Sequence, residues 1–327
     1  AHANSELFHI RAGGKRMVGR RLVDLNHLRT LHPLNNQFAA FINNSGYKTT
    51  AEIAPTIEQV ISQLPLGTPL PKKEMLVPGS LTFKNDSIPA NTNSNIKWWQ
   101  WSVNSDWRHP YGENSSIKGM DDHPVVHISW FDAMAFSEWA NMSLPTEAQW
   151  EYAAKKGEET NTREMNIWQG IFPVNNLGSD GYQKTNPVYA YKPNKIGLYD
   201  MAGNIWEWVW DYYLPYPNSK FKSAAFEKKH YIVRGMSYMG VGHFSKKDFQ
   251  KVVAMKSRAS FREHLNPLAN KKDIGFRCAK DRPGFMERIF GVKPSEQKKA
   301  EAPQSVKNFS KKKIGYGLGW GGGGGVG

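Results

Sequence analysis

The chain has 327 residues, with 43 lysines and arginines against 29 acidic residues and a formal net charge of +14, enough length for one large domain or two ordinary ones. No run of 18 apolar residues is present, so no segment reads as a membrane-spanning helix, and the single cysteine, Cys278, excludes an internal disulfide or a site built from several thiolates. The charge sits at the ends: residues 1–30 hold six basic and two acidic side chains and residues 282–327 nine and three, so the middle is nearly balanced and nucleic acid is not expected as a partner.

Taken in order, residues 1–30 show no sustained period and read as a basic arm, with Arg20-Arg21 and scattered histidines. Ala1-His2-Ala3 fits the small-x-small remnant of a secretory cleavage site, although an arbitrary boundary would look the same; the corresponding expectation is a periplasmic or secreted protein. Asn36 to Ile42 place apolar groups at helical spacing, and Asn44-Ser45-Gly46 stops that helix. Between about 64 and 96 Pro, Ser, Asn and Thr dominate, which predicts a long loop with one strand at Leu81-Thr82-Phe83.

Two later helix starts are sharper. Ser129-Trp130-Phe131-Asp132 and Thr146-Glu147-Ala148-Gln149 match the reciprocal capping pattern, in which a hydroxyl caps the third amide and the third side chain reaches back. The first helix is expected to bury Ala133, Phe136 and Trp139, the second Trp150, Tyr152 and Ala153. From 165 to 282 short strands alternate with Gly, Pro and Asn turns. The last segment, 284–327, carries lysine runs and nine glycines after Lys313 and predicts a disordered tail.

Oxygen donors concentrate in two places, Asn166 to Gly170 with Gly178 to Tyr182, and Asp200 to Glu207. A hard cation such as Ca2+ takes six to eight oxygens from carboxylates, amides and turn carbonyls. By residue type alone the plainer reading is that Asp and Asn in Gly-rich turns bond their own backbone.

Six blocks carry a resemblance to a known family: Asn104-Ser105-Asp106-Trp107-Arg108-His109-Pro110; His123 to Trp130; Leu144-Pro145-Thr146-Glu147-Ala148-Gln149-Trp150-Glu151-Tyr152; Gly197 to Trp208; Val233-Arg234-Gly235; and Gly275-Phe276-Arg277-Cys278. In this order, over about 34–281, they resemble the formylglycine-generating enzymes, or sulfatase-modifying factors. The resemblance implies an α+β, C-type-lectin-like fold of one domain with little regular secondary structure, here 31–283. It also implies two structural calcium ions, one held by Asn166, the carbonyl of Ile167, Asp180 and the carbonyl of Tyr182, the other by Asp200, the carbonyls of Gly203 and Ile205, and Glu207.

The family's activity rests on two cysteines that bind copper(I), and thiolates are what hold that ion. Gly240 stands at the first position and Ser245 near the second, so copper is not expected. Cleft candidates are Trp206, Ser237 and His243; Met236, Met239 and His264 are further compositional candidates for a metal. The family cysteine that often pairs with the one matching Cys278 falls at Ser137. Two functions stay open: oxidative modification or maturation of a peptide or protein substrate without the cysteine pair, and a non-catalytic, calcium-stabilised peptide- or protein-binding paralogue.

Overall fold

The computed structural model describes residues 15–18, 21–24, 28–63, 70–83, 99–155, 165–172, 175–239, 255 and 257–281. All of them belong to the unit Ala1–Arg282. The expected tail, 284–327, and the candidates His243, Gly240 and Ser245 lie outside these residues.

Among the described residues, twelve short strands and four α-helices follow one another: β1 (Lys15–Val18), β2 (Arg21–Asp24), β3 (Leu28–Leu31), α1 (Asn35–Ser45), α2 (Ile57–Ile61), β4 (Gly79–Phe83), β5 (Trp99–Val103), α3 (Trp130–Trp139), α4 (Glu147–Lys155), β6 (Gly170–Ile171), β7 (Asn175–Asn176), β8 (Trp206–Tyr212), β9 (Tyr231–Arg234), β10 (Glu263–Leu265), β11 (Ile274–Phe276) and β12 (Cys278–Asp281). Four strands form the central sheet in the order β10-β9-β8-β11, antiparallel except for β8 and β11, which run parallel with Trp206 opposite Ile274. The others pair as β1-β2, β12-β3, β4-β5 and β6-β7. The fold is α+β, and most of the described chain between the strands is turn and loop. Strands of four residues are too short to declare a period, which is why the sequence of residues 1–30 did not reveal β1 to β3.

Local chemistry sets the helix ends. The Leu34 amide donates to Gln37 Oε1 at 3.1 Å at the start of α1, and Gly46, at φ +64°, closes it with its N–H on Ile42 O at 2.9 Å. Ser129 Oγ accepts the Asp132 amide at 3.2 Å while Asp132 Oδ2 accepts the Ser129 amide at 2.9 Å. Thr146 and Gln149 repeat the arrangement at 3.2 and 2.8 Å. Asp132 does more than cap: Oδ1 also accepts the Tyr47 hydroxyl and the Thr50 amide, both at 2.9 Å, which ties the 47–52 segment to α3.

Aromatic side chains form the core. Phe38 stacks on Phe136 at 5.7 Å, Phe136 meets Phe276 edge-on at 5.4 Å, and Trp107 closes on Phe38 at 5.2 Å. Two tryptophans cross-bond the entry of α3 to β8: the Trp130 indole donates to Val209 O at 2.9 Å and the Trp208 indole to Ile128 O at 2.8 Å. Ala133 and Phe136 are buried as expected, but Trp139 is 42% exposed. It ends the helix at the core's edge, where one face rests on Phe41 and Phe136 and the other meets water. Trp150 and Ala153 are buried and Tyr152 is half-buried.

Candidate functional site

Asn166 begins the first oxygen cluster and is fully buried. Its Nδ2 donates to Lys184 O at 2.7 Å and to Asn186 Oδ1 at 2.9 Å. Both partners are carbonyl oxygens, so the nitrogen must face them and Oδ1 must face away; Oδ1 is buried with no hydrogen-bond partner. Asp180, from the turn opposite, accepts the Ile167 amide on Oδ2 and the Tyr182 amide on Oδ1, each at 3.0 Å, and each oxygen keeps a lone pair. An orphaned amide oxygen beside a carboxylate held by backbone donors is a donor set that suits a hard cation.

The second cluster lies against the first. Asp200, Gly203 and Asn204 adopt φ of +50°, +81° and +63°, the left-handed region that aims successive carbonyls and side chains into a turn. A β-carbon on Gly203 would stand 2.5 Å from Asn166 O, and the Asn204 amide donates to that same oxygen at 2.9 Å. Asn186 joins the clusters from a third side: its Nδ2 lies 3.4 Å from Asp200 Oδ1 and its amide donates to Asn204 Oδ1 at 3.1 Å. Asp200 Oδ2 is buried without a partner, which fits a cation. Burial raises the Asp200 pKa, with Glu207 adding to the rise and His32 and Arg277 opposing it.

Glu207 is placed differently. Its carboxylate is fully buried and meets Arg277 side-on, Nε to Oε2 at 3.0 Å and Nη2 to Oε1 at 2.8 Å. The Trp150 indole donates to Oε2 at 2.7 Å, and His32 Nε2 lies 3.3 Å from Oε1. Arg277 Nη2 also donates to Tyr199 O at 2.9 Å, at the start of the same turn. Burial alone would raise the Glu207 pKa; Arg277 and His32 override it and hold it at about 2. The Glu207 carboxylate is thus committed chiefly to a guanidinium.

Trp206 and Ser237, expected to line a cleft, are both buried: Trp206 is 7% exposed, and Ser237 Oγ donates to Asp273 Oδ2 at 2.6 Å while accepting the Met239 amide at 3.1 Å. Asp273 Oδ1 is left buried and unpartnered. Beside it burial lowers the Lys272 pKa to about 7, with Asp273 opposing the shift. Met236 and Met239 are buried, and His264 stacks on Tyr213 at 4.3 Å. Among the described residues no group of three or more His, Cys, Asp or Glu side chains stands together as a metal site. Cys278 is buried with Sγ 3.3 Å from Ser137 Oγ, and burial pushes its thiol up to about 12.

Sequence reading missed four members of this site: Asn186, Arg277, Trp150 and His32. Arg277 stood inside a quoted block without an assigned role, since nothing local says which carboxylate a guanidinium will meet, and Trp150 was expected only as a buried core residue of the second helix. Asn186, in Thr185-Asn186-Pro187, and His32 had no local signal.

Comparison with protein-family models matches residues 32–282 to the sulfatase-modifying factor enzyme 1-like domain. Among curated proteins the chain is 33% identical over 290 residues to the formylglycine-generating enzyme of Mus musculus, covering 83% of this chain and 70% of that protein. It is 33% identical to the formylglycine-generating enzyme of Streptomyces coelicolor over 78% of each chain. It is also 31% identical to the protein named inactive C-alpha-formylglycine-generating enzyme 2 of Mus musculus, covering 75% of this chain and 71% of that one. No helix among the described residues is long and apolar enough to cross a membrane.

Proposed function

The chain belongs to the sulfatase-modifying factor family, and from that membership we propose that it is a non-catalytic, calcium-stabilised member that binds a peptide or protein segment and does not make formylglycine. The observation that carries this reading is the thiol inventory. One cysteine exists in the whole chain; it is buried, bonded to Ser137 and held protonated, whereas copper(I) chemistry in this family uses a pair of thiolates. A mouse relative whose name calls it inactive supports the same reading.

Calcium would be held by Asn166, Asp180 and the carbonyls of Ile167 and Tyr182, and by Asp200 with the carbonyls of Gly203 and Ile205. Glu207 would support the second set through Arg277, which bonds the carbonyl of Tyr199 in the same turn. The ion, when bound, supplies charge compensation for buried oxygens that have no other partner. Sites assembled from a few carboxylates, amides and turn carbonyls fill where calcium is abundant, which supports a periplasmic or secreted setting.

Purified protein tests this on two axes. Incubated with cysteine-containing peptides, copper and oxygen, it is expected to leave peptide masses and dissolved oxygen unchanged; peptide oxidation that disappears with the protein would overturn the non-catalytic reading and restore the oxidative one. Metal analysis is expected to find calcium, and chelation to lower the melting temperature by several degrees. A melting curve indifferent to chelator would remove the calcium part.

A further inference from the structure

The segment joining β8 to β9, residues 213–230, takes no part in either oxygen cluster. Its base is fixed: the Tyr213 amide donates to His230 O at 2.9 Å, its ring stacks on His264 and lies 5.0 Å from Phe226, and Arg262 sits over Tyr213 and Tyr216 at 4.9 and 4.2 Å. Pro215 and Pro217 stiffen the outgoing strand of the loop, and a turn closes from the Ser219 amide to Tyr216 O at 3.0 Å with Asn218 at φ +65°.

Beyond that base, residues 215–222 are exposed without a break. Phe221, at 66%, is the most exposed large apolar side chain among the described residues, and Tyr216 is 46% exposed. Lys220 and Lys222 flank Phe221, and Lys228 and Lys229 lie a few positions further on. The one acid of the segment, Glu227, is paired with Lys229 at 2.6 Å. A run exposed throughout buries none of its own side chains, so it offers no enclosed pocket for a peptide. An exposed ring flanked in sequence by lysines, its centroid 5.9 Å from that of Phe226 in an edge-on contact, suits a fluid anionic plane: the ring enters the headgroup boundary and the lysines keep their charges among the phosphates.

We propose that this loop docks the protein on an anionic lipid surface, with Phe221 inserting and Lys220, Lys222 and Lys228 supplying the attraction. The surface is separate from the peptide-binding reading and stands or falls without it.

The test uses the full chain and sedimentation with vesicles of phosphatidylcholine alone or mixed with phosphatidylglycerol. Binding is expected only to the anionic vesicles, weakening with salt. Phe221→Ser is expected to lower partition roughly tenfold, and Lys220→Gln with Lys222→Gln roughly twentyfold at low salt. Both variants should keep the parent's melting temperature, because these side chains are exposed. Residues 293–313 carry seven further lysines; binding that survives both variants would belong to charge elsewhere and would overturn the proposal, as would failure of the parent to sediment. If polyglutamate binds in solution with the same dependence on Phe221 and the vesicles do not, the surface belongs to an acidic protein and the lipid assignment is overturned.

Discussion

Replacing Arg277 by Met would leave the Glu207 carboxylate fully buried with the Trp150 indole and His32 as its remaining described partners and the Asp200 charge nearby. Removing one partner of a buried ion pair costs roughly 3–5 kcal/mol, because the remaining charge keeps its desolvation penalty and loses its compensation. Arg277→Met is therefore expected to lower unfolding free energy by about that amount in urea titrations. Arg277→Lys is not expected to restore it, since a point charge cannot reproduce the two-nitrogen contact. Lys272 makes the opposite case. Burial depresses its folded pKa to about 7, below the unfolded value of about 10.4, so the unfolded chain binds the extra proton between those values. Stability consequently rises as pH increases from about 7 toward 10. Lys272→Met is expected to raise stability at pH 7 by roughly 1–3 kcal/mol and to flatten that rise; a parent and variant with parallel pH profiles would contradict the assignment.

At the scale of the element, the two capping boxes were legible residue by residue, because each bond spans three positions and needs nothing from the rest of the chain. Thr146→Ala is expected to cost about 1 kcal/mol, measured by thermal unfolding, through loss of the bond to the Gln149 amide. The stop of α1 at Gly46 and the strand at Leu81-Thr82-Phe83 were equally readable. Trp139 shows the limit: helical spacing placed it on the buried stripe, and only the position of the helix end against the core decided that one face would meet water. The turn before β8 lies between these cases. Gly203 was recognisable as a turn residue, but its close approach to Asn166 O depends on a segment 37 positions earlier.

At the scale of the molecule, the structure is held by a few large aromatic anchors and by polar bonds between segments far apart in sequence. Trp130 and Trp208 exchange indole donors between the entry of α3 and β8. Glu147 draws Arg234 and Arg262 onto α4, with Arg234 Nη1 and Arg262 Nε at 2.9 and 2.6 Å from Oε1. A chain with so little regular structure satisfies many of its buried polar groups in this non-local way. Asn166 Oδ1 and Asp200 Oδ2 are among several buried side-chain atoms left without a partner, Asn35 Oδ1 and Asp273 Oδ1 included; the proposed calcium sites use these two because each lies within one of the oxygen clusters.

By itself the sequence determined the family, the caps, the turn glycines and the two groups of oxygen donors, since these reside in residue identity and spacing along a few positions. Tertiary structure alone decided that Arg277 faces Glu207, that Asn186 bridges the clusters, and that Trp206 and Ser237 are buried. Each of those outcomes depends on the register of β8 against β11 and on loop paths between distant segments. A slip of one residue would turn every strand side chain to the other face, so no local pattern encodes them.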